Sequence, residues 1–163
     1  YWFGRPPLTP EALEERIGVW FGGGDPPEVV HARDEQIAMR FGDLIERAPA
    51  DFGLYSGDDM TSAAFLMLGG HGNISVTANV APRAMHEMCA AALAGDRSLT
   101  EAIDNRLAEL HKALFLESNP IPVKWAVGQL DLIPPGIRLP LTPLSDALHP
   151  AVLAAMRQAG VIG

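Results

Sequence analysis

Only two stretches of this sequence read as β-strand, residues 52–55 (FGLY) and 73–77 (NISVT). The second carries β-branched Ile74, Val76 and Thr77, which suit a pleated surface. Each is followed by a helical segment. Ser56-Gly57-Asp58-Asp59 is a turn leading into a helix over 60–68, with Asp58 or Asp59 as its cap and Gly69-Gly70 marking its end. Pro82 opens a helix that reaches about residue 93 and is closed by Gly95. Strand, helix, strand, helix at this spacing predicts a βαβα unit with parallel pairing and right-handed crossovers. Two parallel strands cannot close a barrel or cover the helices around them, so the remaining core must come from helices.

Three more helices are expected, with no further strand. Ser98 and Glu101 fit a capping box at the start of the longest, whose apolar face is Leu99, Ile103, Leu107, Leu110 and Leu114. Lys112 follows His111 on the exposed shoulder of that helix. Asn119-Pro120 breaks it, a helix from 121 to about 130 begins with prolines, and a last helix runs over about 150–159. Ahead of residue 50, Thr9-Pro10-Glu11 signals a helix to about residue 20, and an amphipathic helix over 27–47 carries Val30, Ile37, Phe41 and Ile45. The division expected is a helical segment over 1–49, a βαβα unit over 50–95 and a helical region over 96–163.

The blocks FGLYSGDD, GGHGNISVTANVAP, HKALFLESNPIPVKWA and RLPLTPLS, in that order from Phe52 to Leu144, closely resemble the carboxy-terminal part of the dihydrodipicolinate (4-hydroxy-tetrahydrodipicolinate) synthase family. The resemblance implies an α/β fold: the last two βα units of a (β/α)8 TIM barrel plus a carboxy-terminal helical bundle, preceded by a helical segment and mostly helical overall. Such a barrel takes about 250 residues, and this chain has 163. The paired Trp-Phe-Gly blocks at Trp2–Gly4 and Trp20–Gly22, with Arg40-Phe41-Gly42, resemble an uncharacterised all-helical bacterial family over residues 1–49. Tyr1 and Arg5 also approximate the synthase's Tyr-x-x-Pro-x-Arg segment, one residue short and without its proline. With the abrupt change at 48–51 and a first residue other than Met, this pattern is expected of a truncated or chimeric chain.

The synthase resemblance implies a pyruvate-dependent class I lyase of lysine biosynthesis, in which a lysine Schiff base condenses pyruvate with aspartate semialdehyde. No metal or organic cofactor would be required. Such chemistry needs an amine with a lowered pKa at the carboxy end of a barrel strand. The lysines here are Lys112 and Lys124, both on predicted helices. The place of the family's lysine-bearing strand is taken by MRFGDLIERAPAD, so no catalytic residue is assigned and the chain is expected to be inactive alone. Two substrate-binding positions carry over: Ile74, whose main chain in the family contacts pyruvate, and Gly57, at the mouth of the same pocket. Asn73 stands where the family usually has an apolar residue. The plainer reading makes Ile74 a core strand residue and Gly57 a turn.

Other residue groups point to structure. Asp58 and Asp59 have no His or Cys at ligand spacing, so no metal site is expected. His71 lies in a Gly-rich loop that lacks the strand-first context of a phosphate fingerprint. Cys89, the single cysteine, sits in an apolar helical run as a buried thiol. Trp2, Trp20 and Trp125 are expected as core or interface anchors. A net charge of −8 and a pI near 5.0 leave no basic stripe for a phosphate backbone, which excludes nucleic acid. No apolar run approaches a membrane span and no secretory leader opens the chain, so a cytoplasmic location and no membrane partner are expected. The partners expected are pyruvate and further copies of the chain in a homo-oligomer. Two alternatives to the enzyme reading are a non-catalytic helical interaction module and a gene-fusion product.

Overall fold

The computed structural model describes residues 40–163. The helix expected over 9–20, the first part of that over 27–47, Tyr1, Arg5, Trp2 and Trp20 lie outside the described residues. The order of elements is α1 (residues 40–47), β1 (Tyr55–Ser56), α2 (Asp59–Leu68), β2 (Gly72–Asn73), α3 (Pro82–Ala94), α4 (Arg97–Ala113), α5 (Ile121–Gly128) and α6 (His149–Gln158). Short 3-10 turns at Thr77–Asn79 and Asp146–Leu148 precede α3 and α6. The two strands pair in parallel, Tyr55 opposite Gly72 and Ser56 opposite Asn73. Gly72 permits this approach, because a Cβ there would come within 2.9 Å of the Tyr55 ring.

The strands are shorter than expected and shifted. Residues 52–54 are not strand, and the second strand stops at Asn73 instead of reaching Thr77. The cause is a carboxylate. Asp59 Oδ2 accepts the main-chain N–H groups of Val76 (2.9 Å) and Thr77 (2.8 Å), and Ser75 Oγ accepts that of Ala78 (2.9 Å). Donors that a strand would offer to a neighbour are thereby turned into a capped 3-10 turn, which overrides the β-branched composition.

The core lies among the helices. α4 packs against α2, α3 and α6. Met85, Met88, Ile103, Leu107, Leu110, Leu114, Val152 and Met156 interlock in one buried cluster with Ile121, Val123 and Leu144. Four of the five residues expected on the apolar face of α4 are buried, but Leu99 is 48% exposed. The reason is at the helix start. Asp96, not Ser98, is the N-cap, its Oδ1 accepting Leu99 N–H at 3.0 Å. Glu101 reaches back to Arg97 Nε at 2.6 Å instead of closing a box on Ser98. Gly95 at φ 80° ends α3 in the left-handed conformation that glycine adopts without strain.

His111 is also not on an exposed shoulder: it is 1% exposed and faces the turn after β2, whereas Lys112 next to it is exposed. Trp125 is half-buried against the core and stacks on His149, ring centroids 4.3 Å apart.

Candidate functional site

Gly57 and Ile74, the two candidate binding positions, are each the first residue beyond the carboxy end of a paired strand. Register places Ser56 opposite Asn73, so the two lie side by side at one end of the strand pair. The plainer reading of Ile74 fails: its side chain is 75% exposed rather than part of the core. Its N–H donates to Ser56 O at 2.8 Å, which carries the pairing one residue past the strand. At Gly57 a Cβ would meet no atom within 4 Å, and the backbone does not take a positive φ. Neither packing nor conformation among the described residues requires glycine there. Phe52, Tyr55 and Met60 add further exposed apolar surface around these two positions in sequence.

Beneath the exposed end lies a polar layer. Asp59 is 2% exposed, and its two oxygens are shared among three donors. Oδ1 accepts Asn73 Nδ2 at 2.8 Å, and Oδ2 accepts the Val76 and Thr77 N–H groups. Asn73, the departure from the family pattern, thus answers a buried carboxylate, while its Oδ1 has no partner. Thr77 is fully buried, and its hydroxyl shares a 2.8 Å hydrogen bond with Nδ1 of His111. His111 Nε2 lies 3.8 Å from Asp104 Oδ1, within reach of a charge pair but beyond a hydrogen bond. Asp59 therefore ends up capping the turn after β2, while Asp58, in the N-cap position of α2, makes no capping bond to the backbone and accepts Thr61 Oγ1 at 2.7 Å.

Both lysines lie on helices rather than on a strand. Lys112 lies on α4, exposed and paired with Glu109 at 2.7 Å, and lines a groove of about 220 Å3 together with Ala113 of α4 and Ala151, Ala154 and Ala155 of α6. Lys124 lies mid-helix on α5. His71 is exposed, yet its Nδ1 accepts Leu54 N–H at 2.9 Å and so ties the loop to the first strand. The Cys89 thiol is half-buried, and burial, then the Asp59 carboxylate, push its pKa up. Among the described residues no group of three or more His, Cys, Asp or Glu is assembled to hold a metal, and no helix is long and apolar enough to cross a membrane. His111, four residues after Leu107 and three before Leu114, falls on the apolar stripe of α4, and that spacing is the sequence signal for its burial.

Parallel strands backed by helices, with the candidate positions at their carboxy ends, define an α/β protein, a class that includes the βα barrels, which place their chemistry at that end. Residues 31–159 match the dihydrodipicolinate synthetase family, and the chain belongs to it. It is 62% identical over 136 residues to a 4-hydroxy-tetrahydrodipicolinate synthase of Azoarcus sp. strain BH72, covering 83% of this chain and 47% of that protein. The identity to the synthase of Aromatoleum aromaticum is 63% over the same length. In three dimensions the chain is similar to the pyruvate-complexed, chloride-inhibited dihydrodipicolinate synthase of Acinetobacter baumannii, with a TM-score of 0.73 and 48% identity over 76% of this chain and 43% of that one. The Thermotoga maritima synthase gives a TM-score of 0.69 at 38% identity, over 74% and 41%. The chain thus spans about half the length of the curated relatives it matches. The family match begins at residue 31, upstream of the change in sequence character at 48–51.

Proposed function

We propose that this chain carries the main-chain part of a pyruvate site of the dihydrodipicolinate synthase type, at Gly57 and Ile74, and does not itself form the Schiff base. The observation that carries the reading is the side-by-side placement of these two residues just past the carboxy ends of paired strands. Supporting it are the exposure of Ile74 and the open space at Gly57. The related Acinetobacter baumannii structure is a pyruvate complex. In the family reaction a lysine imine of pyruvate becomes the enamine that adds to aspartate semialdehyde. The lysines of this sequence are Lys112 and Lys124, and both sit on helices. The βαβα unit then corresponds to the last two units of the barrel, and α4–α6 to the helical layer that follows it.

Titrating the labelled 163-residue chain with pyruvate tests the binding half of the proposal. The backbone amide signals of Gly57, Ile74 and Ser75 should move together and saturate. Gly57→Ala, which meets no steric obstacle, should weaken that response while leaving the thermal midpoint unchanged. Shifts scattered over α4–α6, or none at these three residues, would count against it.

A further inference from the structure

We infer that Asp59, together with the buried Thr77–His111 pair, is a positioning device that fixes the main chain of Ile74. The inference rests on the pyruvate reading for its functional meaning, and on the geometry alone for its physical content. Ile74 cannot anchor itself, because its side chain is 75% exposed and buries little. Its own N–H bond to Ser56 holds one edge only.

The remaining restraint comes from one carboxylate that grips the chain on both sides of Ile74. Oδ1 of Asp59 holds the side chain of Asn73 immediately before it, and Oδ2 holds the N–H groups of Val76 and Thr77 just after it. These are hydrogen bonds of 2.8–2.9 Å to a carboxylate that is 2% exposed, where such bonds are strong and directional. Asp59 opens α2, so the grip is referred to a rigid helix rather than to a loop. Thr77 continues the path inward through its 2.8 Å hydrogen bond to His111, a residue of α4 that is 1% exposed. Asn73, Ile74, Val76 and Thr77 are thereby located relative to two helices at once. A pocket atom on Ile74 needs that, since small misplacements of a contact are costly.

The test uses the whole chain and two independent variants. In Asp59→Ala, amide hydrogen exchange at Val76 and Thr77 should rise about tenfold or more while the amides of α4 and α6 keep their rates. The pyruvate concentration that half-saturates the Ile74 response should rise about tenfold as well. Thr77→Val should show the same pattern more weakly, and Thr77→Ser, which keeps the hydroxyl, should restore both readouts. Should Asp59→Ala fail to fold, the Thr77 pair decides the matter. Unchanged exchange at Val76 and Thr77 would overturn the inference, as would looser exchange with an unaltered pyruvate response. If exchange loosens but the unsubstituted chain never responds to pyruvate, the positioning stands and the pyruvate reading falls.

Discussion

The segment from residue 52 to 81 and the helical layer from 82 to 159 share apolar core but differ in how many polar groups they bury. In the helical layer the buried groups are almost all apolar, with Thr100 and His111 the polar exceptions. The segment before it also buries Phe65, Leu66, Leu68 and Val80, but adds the buried polar groups Ser56, Asp59, Ser62 and Thr77, while Phe52, Tyr55, Met60 and Ile74 are exposed. Apolar burial is non-directional and tolerates rearrangement, whereas hydrogen bonds to a buried carboxylate fix backbone atoms in place. Apolar cohesion therefore runs through both regions, and buried hydrogen bonding adds positional definition to the first. Ile74 and Gly57 sit in the region with that added definition.

The comparison can be broken by substitutions on either side of it. The largest effect is expected from Leu110→Ala, which empties a fully buried position at the centre of the helical layer. It should cost about 3 kcal/mol in denaturant unfolding, and the loss should spread over α3, α4 and α6. Thr77→Val should cost less, about 1–3 kcal/mol, by leaving the buried His111 Nδ1 without its partner. Its effect on hydrogen exchange should stay confined to the turn after β2. A global loosening from this change would erase the distinction between the regions. Asp96→Ala, which removes the cap of α4, should cost about 1 kcal/mol, whereas Ser98→Ala should be close to neutral if Asp96 is the cap.

The smallest effect concerns Cys89, on α3 and within the electrostatic reach of Asp59. Its raised pKa keeps the thiol protonated at neutral pH, so alkylation should be slower than for a free cysteine. The rate should climb about tenfold per pH unit until the pH passes the raised pKa. Asp59→Asn removes one of the two causes and should speed alkylation modestly, read by mass spectrometry against time. No change on that substitution would mean that Asp59 does not couple the two regions electrically.

Much of the helical layer could be read from residue spacing. Ile103, Leu107, Leu110 and Leu114 recur with the helical period and are all buried, and Pro82 and Gly95 bracket α3 as their backbone preferences dictate. The boundary error at α4 is a local one, since Asp96 and Ser98 both satisfy the cap preference and only geometry selects between them. The strand error at residues 73–77 is different in kind. β-branched residues there favour a strand, but a carboxylate distant in sequence, Asp59, takes up the N–H groups of Val76 and Thr77. No local pattern carries that information. His111 is a different case, since its spacing from Leu107 and Leu114 puts it on the apolar stripe, while its partner Thr77 comes from another element. The candidate positions themselves came from the family resemblance, and the family is now shown by the match over residues 31–159. Local physics alone would have left Gly57 as a turn and Ile74 as core.

The chain belongs to the dihydrodipicolinate synthase family, and the proposal that neither Lys112 nor Lys124 forms a pyruvate imine is open to a direct test. Incubating the 163-residue chain with pyruvate and borohydride, followed by intact-mass and peptide analysis, tests it directly. The expected result is the unmodified mass, with Lys112 and Lys124 both free of adduct. A stoichiometric reduced pyruvyl adduct on either lysine would contradict it.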